Sequence, residues 1–451
     1  MWKSIILSAV LLILSFNWLP PIFVFIALVP LFIFILGEKN WKKIFFGIFI
    51  FRLLFAFGTM YFVIDPILFG SSLLLYMGFP LSIWLIKKIG NENFEIISLP
   101  FLWTAWDYLQ AQYTALPMTI AMLGIPLGNS DFLGLAGFGG VIGLTFFTAA
   151  VNAFFTGLFL RRDDRRQLKT GIIAISAVFA IGWLISHLVI ENNKNDYFSK
   201  EKILNVEIIS ATEVRHDFSD QLSFLPISEE ADLLVVPENL YKSDLENSEK
   251  IIDFYGKTAV DLDIALSAVA LRRESGRAYK SSFLFSRDGK IADIYDKNHL
   301  TITSEYWPFG DWRPFYFDSY LEKSSPDDAK KAVFDRNYEL TRGLPGIISG
   351  SYFSFAAPIC GEAHYSGYLR ELTGLGPDFI LSNSNNDWII YGLEQYLNLT
   401  NHLRMIEAVR LNKPILVSGI KEYAGIFYPD GRSELSYPRN GLNLINLNIR
   451  Y

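Results

Sequence analysis

Ser351-Tyr352-Phe353-Ser354-Phe355-Ala356-Ala357-Pro358-Ile359-Cys360-Gly361-Glu362 contains the only cysteine of the 451-residue chain. Its apolar residues, alternating in the first half, predict a strand, and Pro358 and Gly361 mark the strand's end. Cys360 is thereby expected at a strand-to-loop corner, at the exposed edge of a sheet. There a nearby base can convert the thiol to a thiolate, the form that attacks carbonyl carbon. A lone cysteine is more often a small buried hydrophobe, so its position alone decides nothing.

The length exceeds what one core usually holds and predicts two domains. Half of the residues are apolar and 19% are charged, with a net charge of -6. Those averages hide an asymmetry: residues 1 to about 190 are rich in Phe, Leu, Ile and Gly, and most charges follow. The first half reads as membrane and the second as soluble. No basic patch suited to nucleic acid exists. A single cysteine excludes an intramolecular disulfide, and no CxxC pair, HExxH, P-loop or GxGxxG occurs. His187, His216, His299, His364 and His402 are scattered, so no metal site and no cofactor are expected.

Seven apolar runs are expected to span a bilayer: Ser4 to Phe16, Pro21 to Leu36, Ile44 to Val63, Ser72 to Ile86, Ile96 to Ala111, Phe138 to Leu160 and Thr170 to Ile190. Lys3, then Lys39, Lys42 and Lys43, then Lys87 and Lys88, then Arg161 to Lys169 fall on alternate connections. The loops Ile64 to Ser71 and Gln112 to Gly137 have no Lys or Arg. That bias puts the N-terminus inside and everything after Ile190 outside the cytoplasm. A cleaved leader is not expected, because no small-x-small site follows the first run. Asp107, beside Trp106, is an acid at membrane depth and a candidate for a lipid site, with an ion pair to Arg52 as the structural alternative. The uncharged loop from Gln112 to Gly137 is read as a re-entrant segment or an ordinary loop.

After a tether at 191–202, short apolar strands alternate with charged helical stretches over 203–451, the pattern of a layered α/β domain. Strands are expected at Ile203 to Ile209, Ala231 to Val236, Asp263 to Ala270, Lys280 to Phe285, Phe353 to Ile359, Phe379 to Asn383, Ile415 to Ser418, Gly425 to Tyr428 and Leu442 to Ile449. Helices are expected at Ser248 to Val260, Tyr365 to Leu375 and Leu393 to Leu411. Strand ends deliver Glu238 after Asp232 to Pro237 and Lys297 after Ile294 to Asp296. With Cys360 they supply a proton acceptor, an oxyanion partner and a nucleophile. Taken singly, a Pro-Glu pair is often a turn and a Lys after Asp is usually a solvated charge.

Glu238, Lys297 and Cys360, in this order and setting, resemble the catalytic set of the nitrilase superfamily of carbon-nitrogen hydrolases. With seven spans in front, the chain resembles the apolipoprotein N-acyltransferase family, the membrane-bound branch of that superfamily. Lys297-Asn298-His299-Leu300 is similar to its lysine motif. Ser304-Glu305-Tyr306-Trp307-Pro308 is similar to the Gly-Glu-Tyr-x-Pro that follows, which makes Glu305 the second glutamate. Ile359-Cys360-Gly361-Glu362 resembles Ile-Cys-Tyr-Glu, so Glu362 matches a further acid and Gly361 stands in place of an aromatic. Ser384-Asn385-Asn386-Asp387-Trp388, the turn Pro429-Asp430-Gly431-Arg432, Trp106-Asp107 and the stretch Gly143 to Ala153 extend the match. Glu407-Ala408-Val409-Arg410 exchanges the charges of an Arg-Ala-x-Glu motif and is expected to keep the ion pair. After the last strand the family usually has a closing membrane span, and this sequence runs only to Tyr451.

The resemblance implies a multi-span α-helical membrane domain over 1–190 with about seven helices, followed by a nitrilase-like αββα sandwich. It implies a bacterial inner-membrane enzyme with its catalytic domain on the periplasmic or outer face. Its acyl donor is then a phospholipid and its acceptor the N-terminal amine of a diacylated lipoprotein, with Trp106, Asp107 and Trp388 as lipid-site candidates. A membrane-anchored amidase, or a lipid-binding factor without catalysis, is the alternative.

Overall fold

The computed structural model describes residues 2–62, 66–113, 118–215, 222, 225–241, 247–302, 305–306, 340–439 and 441–451, with side chains omitted at 66–69 and 118. His216, Ser304, Trp307, Pro308 and part of the Gln112 to Gly137 loop lie outside them. The chain divides into two compact units, Met1–Asn193 with Tyr391–Arg410, and Lys194–Ile390 with Leu411–Tyr451.

The seven apolar runs fall largely on helices, but not one helix to each run. Pro21 to Leu36 is broken into a 3-10 turn, Pro21–Phe23, and helices Val24–Ala27 and Val29–Gly37. Ser72 to Ile86 is divided between Pro66–Tyr76 and Gly78–Ile89. Three helical stretches among the described residues are long and apolar enough to cross a membrane: Gly140–Leu160, Arg165–Ser199 and, taken across the turn at Met77, Gly70–Ile89. The Asn152 side chain holds the break after Ala27: it accepts from Leu28 N–H at 2.8 Å and donates to Val24 O at 2.9 Å. Ser8 accepts from Leu31 N–H at 2.8 Å in the same region. In an apolar surrounding such bonds satisfy backbone groups that have no water to turn to.

Helix Arg165–Ser199 runs unbroken through most of the expected tether and leaves only 200–202 before the first strand. A second difference from the sequence expectation concerns Leu393–Leu411. This helix has the predicted limits, yet it packs within the first unit. Phe62 and Tyr396 rings meet edge to face at 5.3 Å, and Asn193 donates to Val409 O at 2.9 Å. A Cβ on Gly128 would lie 2.6 Å from His402 O, so only glycine permits this approach. Glu407 and Arg410 do pair, with Arg410 Nε 2.7 Å from Glu407 Oε2.

The second unit is built on strands β1 (Ile203–Ala211), β2 (Leu233–Val235), β3 (Ala265–Glu274), β4 (Arg277–Phe285), β5 (Ile291–Asp296), β6 (Ile348–Ser349), β7 (Ser354–Ala356), β8 (Phe379–Asn385), β9 (Ile415–Ile420), β10 (Ala424–Phe427), β11 (Ser433–Ser436) and β12 (Leu442–Arg450). Their order is β5-β4-β3-β2-β1-β9-β8-β7-β6, with β12 antiparallel to β1 from Ile203↔Arg450 to Ala211↔Leu442. The two ends of this path come together: Ser349 N–H of β6 donates to Asp293 Oδ2 of β5 at 2.8 Å. The sheet thus doubles back on itself. Leu204, Val206, Val235, Leu284, Phe355 and Leu381 fill one face. On the opposite face Leu234, Val236, Ala268 and Phe285 pack with Ile251, Tyr255 and Ala259 of helix Ser248–Leu262. The period-2 division of β4, Leu284 inward and Phe283 and Phe285 outward, is that of a strand buried on both sides.

Strand direction puts the candidate residues at one edge. β7, β8, β9, β1, β2 and β3 are mutually parallel, and β5 regains their direction through the antiparallel β4. The carboxyl ends of β2, β5 and β7 therefore open on the same side, where the loops of an α/β sheet build sites.

Candidate active site

Glu238 follows β2 by three residues, Lys297 follows β5 directly, and Cys360 follows the bridge that Ile359 makes to Asn383 of β8. Asn239 and Cys360 both have left-handed backbone, φ 53°. For a residue with a Cβ this conformation costs roughly 1–2 kcal/mol, and here it turns the chain sharply off each strand. The Asn383 side chain joins the two corners. It donates to Val236 O at 2.7 Å and accepts from Glu238 N–H at 2.6 Å, while its backbone neighbours Ile359.

Glu362 organises the lysine loop around the cysteine corner. Its Oε1 accepts from Asn298 N–H at 2.7 Å and His299 N–H at 2.8 Å, and its Oε2 from Ile359 N–H at 2.8 Å. The Tyr295 hydroxyl lies 2.9 Å from both oxygens. Complete burial pushes this carboxyl up to about 7, against the pull of Lys297 and the backbone donors. The His299 ring lies tilted against Tyr365 and Tyr368 at centroid distances of 4.6 and 4.4 Å.

Glu305 accepts from Lys297 Nζ at 2.8 Å through Oε1 and from Thr301 N–H at 2.8 Å through Oε2. The same Oε1 takes a bond from Lys280 Nζ at 3.1 Å, and Lys280 also pairs with Glu238 Oε1. Two carboxylates and two ammonium groups thus alternate in the order Glu238, Lys280, Glu305, Lys297. Burial works against each charge. Even so, the two lysines hold the Glu305 carboxyl down to about 2, and the carboxylates keep Lys297 above its ordinary value. Glu238 Oε2 is buried with no hydrogen-bond partner among the described residues.

Cys360 is half-buried rather than exposed, and burial with the Glu238 charge pushes its thiol up to about 11, despite Lys297 and Lys280. A thiol raised in this way favours attack in which its proton leaves as sulfur bonds to carbon. Among the described residues, a Cβ added at Gly361 would meet only Thr301 Oγ1, at 3.7 Å, next to the sulfur-bearing residue.

Lys280 and Asn383 were not singled out from sequence. The signal for Lys280 is its phase: it shares the inward face of β4 with Ser282 and Leu284, where a solvated charge has no place. Asn383 lies in the polar half of β8, Ser382 to Asn385, after the apolar Phe379 to Leu381, and nothing in the sequence sets it apart from those neighbours.

Of the lipid-site candidates, Asp107 is buried in the first unit, 3.8 Å from Arg52. It accepts from Trp103 Nε1 at 3.0 Å and Leu123 N–H at 3.1 Å. Trp106 instead donates to Ser82 Oγ at 3.1 Å. Trp388 belongs to the second unit and is half-buried.

Residues 8–154 match the apolipoprotein N-acyltransferase N-terminal domain, and residues 199–408 match the carbon-nitrogen hydrolase domain. Apolipoprotein N-acyltransferase 2 of Treponema denticola is 22% identical over 80% of this chain and 73% of its own. Apolipoprotein N-acyltransferase of Chlorobaculum tepidum is 23% identical over 89% of this chain and 82% of its own. A carbon-nitrogen hydrolase from Helicobacter pylori G27 covers 55% of this chain and 89% of its own, at 15% identity and a TM-score of 0.39. With both domain models matched in this order and full-length relatives aligned across them, the chain belongs to the apolipoprotein N-acyltransferase family.

Proposed function

We propose that this protein transfers an acyl chain from a phospholipid to the N-terminal amine of a lipoprotein, with Cys360 carrying the acyl group between the two as a thioester. The observation that supports this reading most is the convergence of the Glu238, Lys280, Glu305 and Lys297 charges on the half-buried Cys360 thiol.

In the first half-reaction Glu238 takes the thiol proton as Sγ bonds to the ester carbonyl carbon. The carbonyl electrons move to oxygen, where Lys297 offsets the developing negative charge. When the tetrahedral species collapses, the bond from carbon to the lysophospholipid oxygen breaks, and that oxygen takes the proton from Glu238. The thioester remains. In the second half the α-amine of a diacylated N-terminal cysteine attacks the thioester carbon and gives a proton to Glu238. The carbon–sulfur bond then breaks, leaving an amide, and the sulfur recovers its proton. Glu305 fixes the Lys297 ammonium, and Glu362 fixes the loop that presents it.

The apolar helices of the first unit suit a protein whose substrates are held in a bilayer. The bias of Lys and Arg to alternate connections supports a multi-pass protein of the bacterial inner membrane with the catalytic unit on the outer face. Trp106, Asp107 and Trp388 are proposed to contribute to lipid handling.

Intact-protein mass spectrometry after incubation with phospholipid micelles tests the reading. An acyl mass on Cys360, discharged by a diacylated lipopeptide to give a triacylated product, is expected. Cys360→Ala must show neither. Discharge to free fatty acid without product would indicate a hydrolase, and absence of any adduct on the native protein would overturn the scheme.

A further inference from the structure

We propose that Lys280 is a positioning residue that supplies the counter-charge of Glu238 and decides which of its oxygens receives the thiol proton. This rests on the thioester reading above and adds a residue to it. Lys280 lies on β4, its carbonyl accepting from Lys297 N–H at 2.8 Å, so the two lysines enter the site from adjacent strands. Their roles differ. Lys297 has Glu305 at 2.8 Å, whereas Lys280 spans Glu305 at 3.1 Å and Glu238.

Charge counting gives the reason. Glu238 and Glu305 are 1% and 9% exposed. With Lys297 alone beside them, two carboxylates would share one ammonium in a dry site, where a charge without a partner is costly. Glu238, lacking the direct Lys297 bond, is the one that would be left without a counter-charge. Lys280 supplies the second positive charge. It also occupies Oε1 of Glu238, while Oε2 has no donor among the described residues. The oxygen left free is the one available as base.

The test is the pH dependence of Cys360 acylation by p-nitrophenyl palmitate in non-ionic detergent micelles, read as thioester mass in single-turnover experiments between pH 5 and 9. Lys280→Met and Lys280→Gln are each expected to move the acid limb up by about one unit or more. Lys280→Arg, which keeps the charge, is expected to leave the limb in place. The glutamine variant retains a hydrogen-bond donor of similar length, so it reports on charge should the methionine variant not accumulate. An unmoved limb in either neutral variant, or an equal shift in the arginine variant, overturns the proposal. Failure of the native protein to take an acyl group from phospholipid would instead count against the transferase reading, since the activated ester bypasses donor recognition.

Discussion

Replacing Glu305 by glutamine removes the carboxylate that two lysines share. Its carboxyl is held at about 2 against 4.5 for the free group, a difference worth about 3 kcal/mol to the folded state at neutral pH. Because the folded value is the depressed one, this stabilisation is fully present above pH 4.5 and is lost as pH falls toward 2. Glutamine also leaves Lys280 and Lys297 facing one another in a buried site, so a total cost of about 3–5 kcal/mol is expected. Pulse proteolysis of the second unit across a urea series, in detergent micelles, measures it. The gap between native and Glu305→Gln proteins is expected to be constant from pH 5 to 8 and to shrink to about half by pH 3. In a Lys280→Met background the cost of Glu305→Gln falls by about 1 kcal/mol or more, since one of the two facing charges is gone. A gap below about 0.5 kcal/mol at pH 7, or one that is the same at pH 3 as at pH 7, would refute the charge argument.

Further outcomes are expected elsewhere. Asn383→Ala strands the buried Val236 carbonyl and the Glu238 amide and costs about 1–3 kcal/mol; acylation of Cys360 slows more than its KM for ester changes. Gly361→Ala, whose Cβ meets only a hydroxyl at ordinary distance among the described residues, is expected to leave stability within about 0.5 kcal/mol and the acylation rate nearly unchanged. Gly134→Ala would bring a Cβ to 2.1 Å from Ser186 O within the first unit, so folded yield in the membrane should fall sharply, read by fluorescence-detected size exclusion. Cys360→Ser should insert normally and form no stable acyl adduct, checked by the same mass measurement as the native protein.

The elements were legible where a periodicity ran long enough. Predicted strands at Phe379 to Asn383 and Ile415 to Ser418 and the helix Leu393–Leu411 agree with the structure to within two residues. The short β6 and β11 carry too few residues for a period to show, and they are held by their neighbours rather than by their own sequence. The site was legible at its corners, because Pro237-Glu238 and Ile359-Cys360-Gly361 announce turns at strand ends. From the sequence Lys280 only opens a strand. What makes it part of the site is the phase of β4 relative to the folded-over sheet, a tertiary fact. The state of the thiol was also hidden, since burial and four surrounding charges set it and none of them is adjacent in sequence.

The helix Leu393–Leu411 has a bearing on how this protein can be taken apart. Its buried Tyr396, Leu399, Leu403 and Ile406 have their place in the first unit, although the strands on either side of it belong to the second. A fragment beginning at Lys194 would carry that helix, buried on nearly every side, stripped of its neighbours and would tend to aggregate. Trimming the helix would in turn sever β8 from β9. Neither half is a detachable module, and soluble expression of the hydrolase-like part calls for redesign of this one segment rather than a cleverer choice of cut.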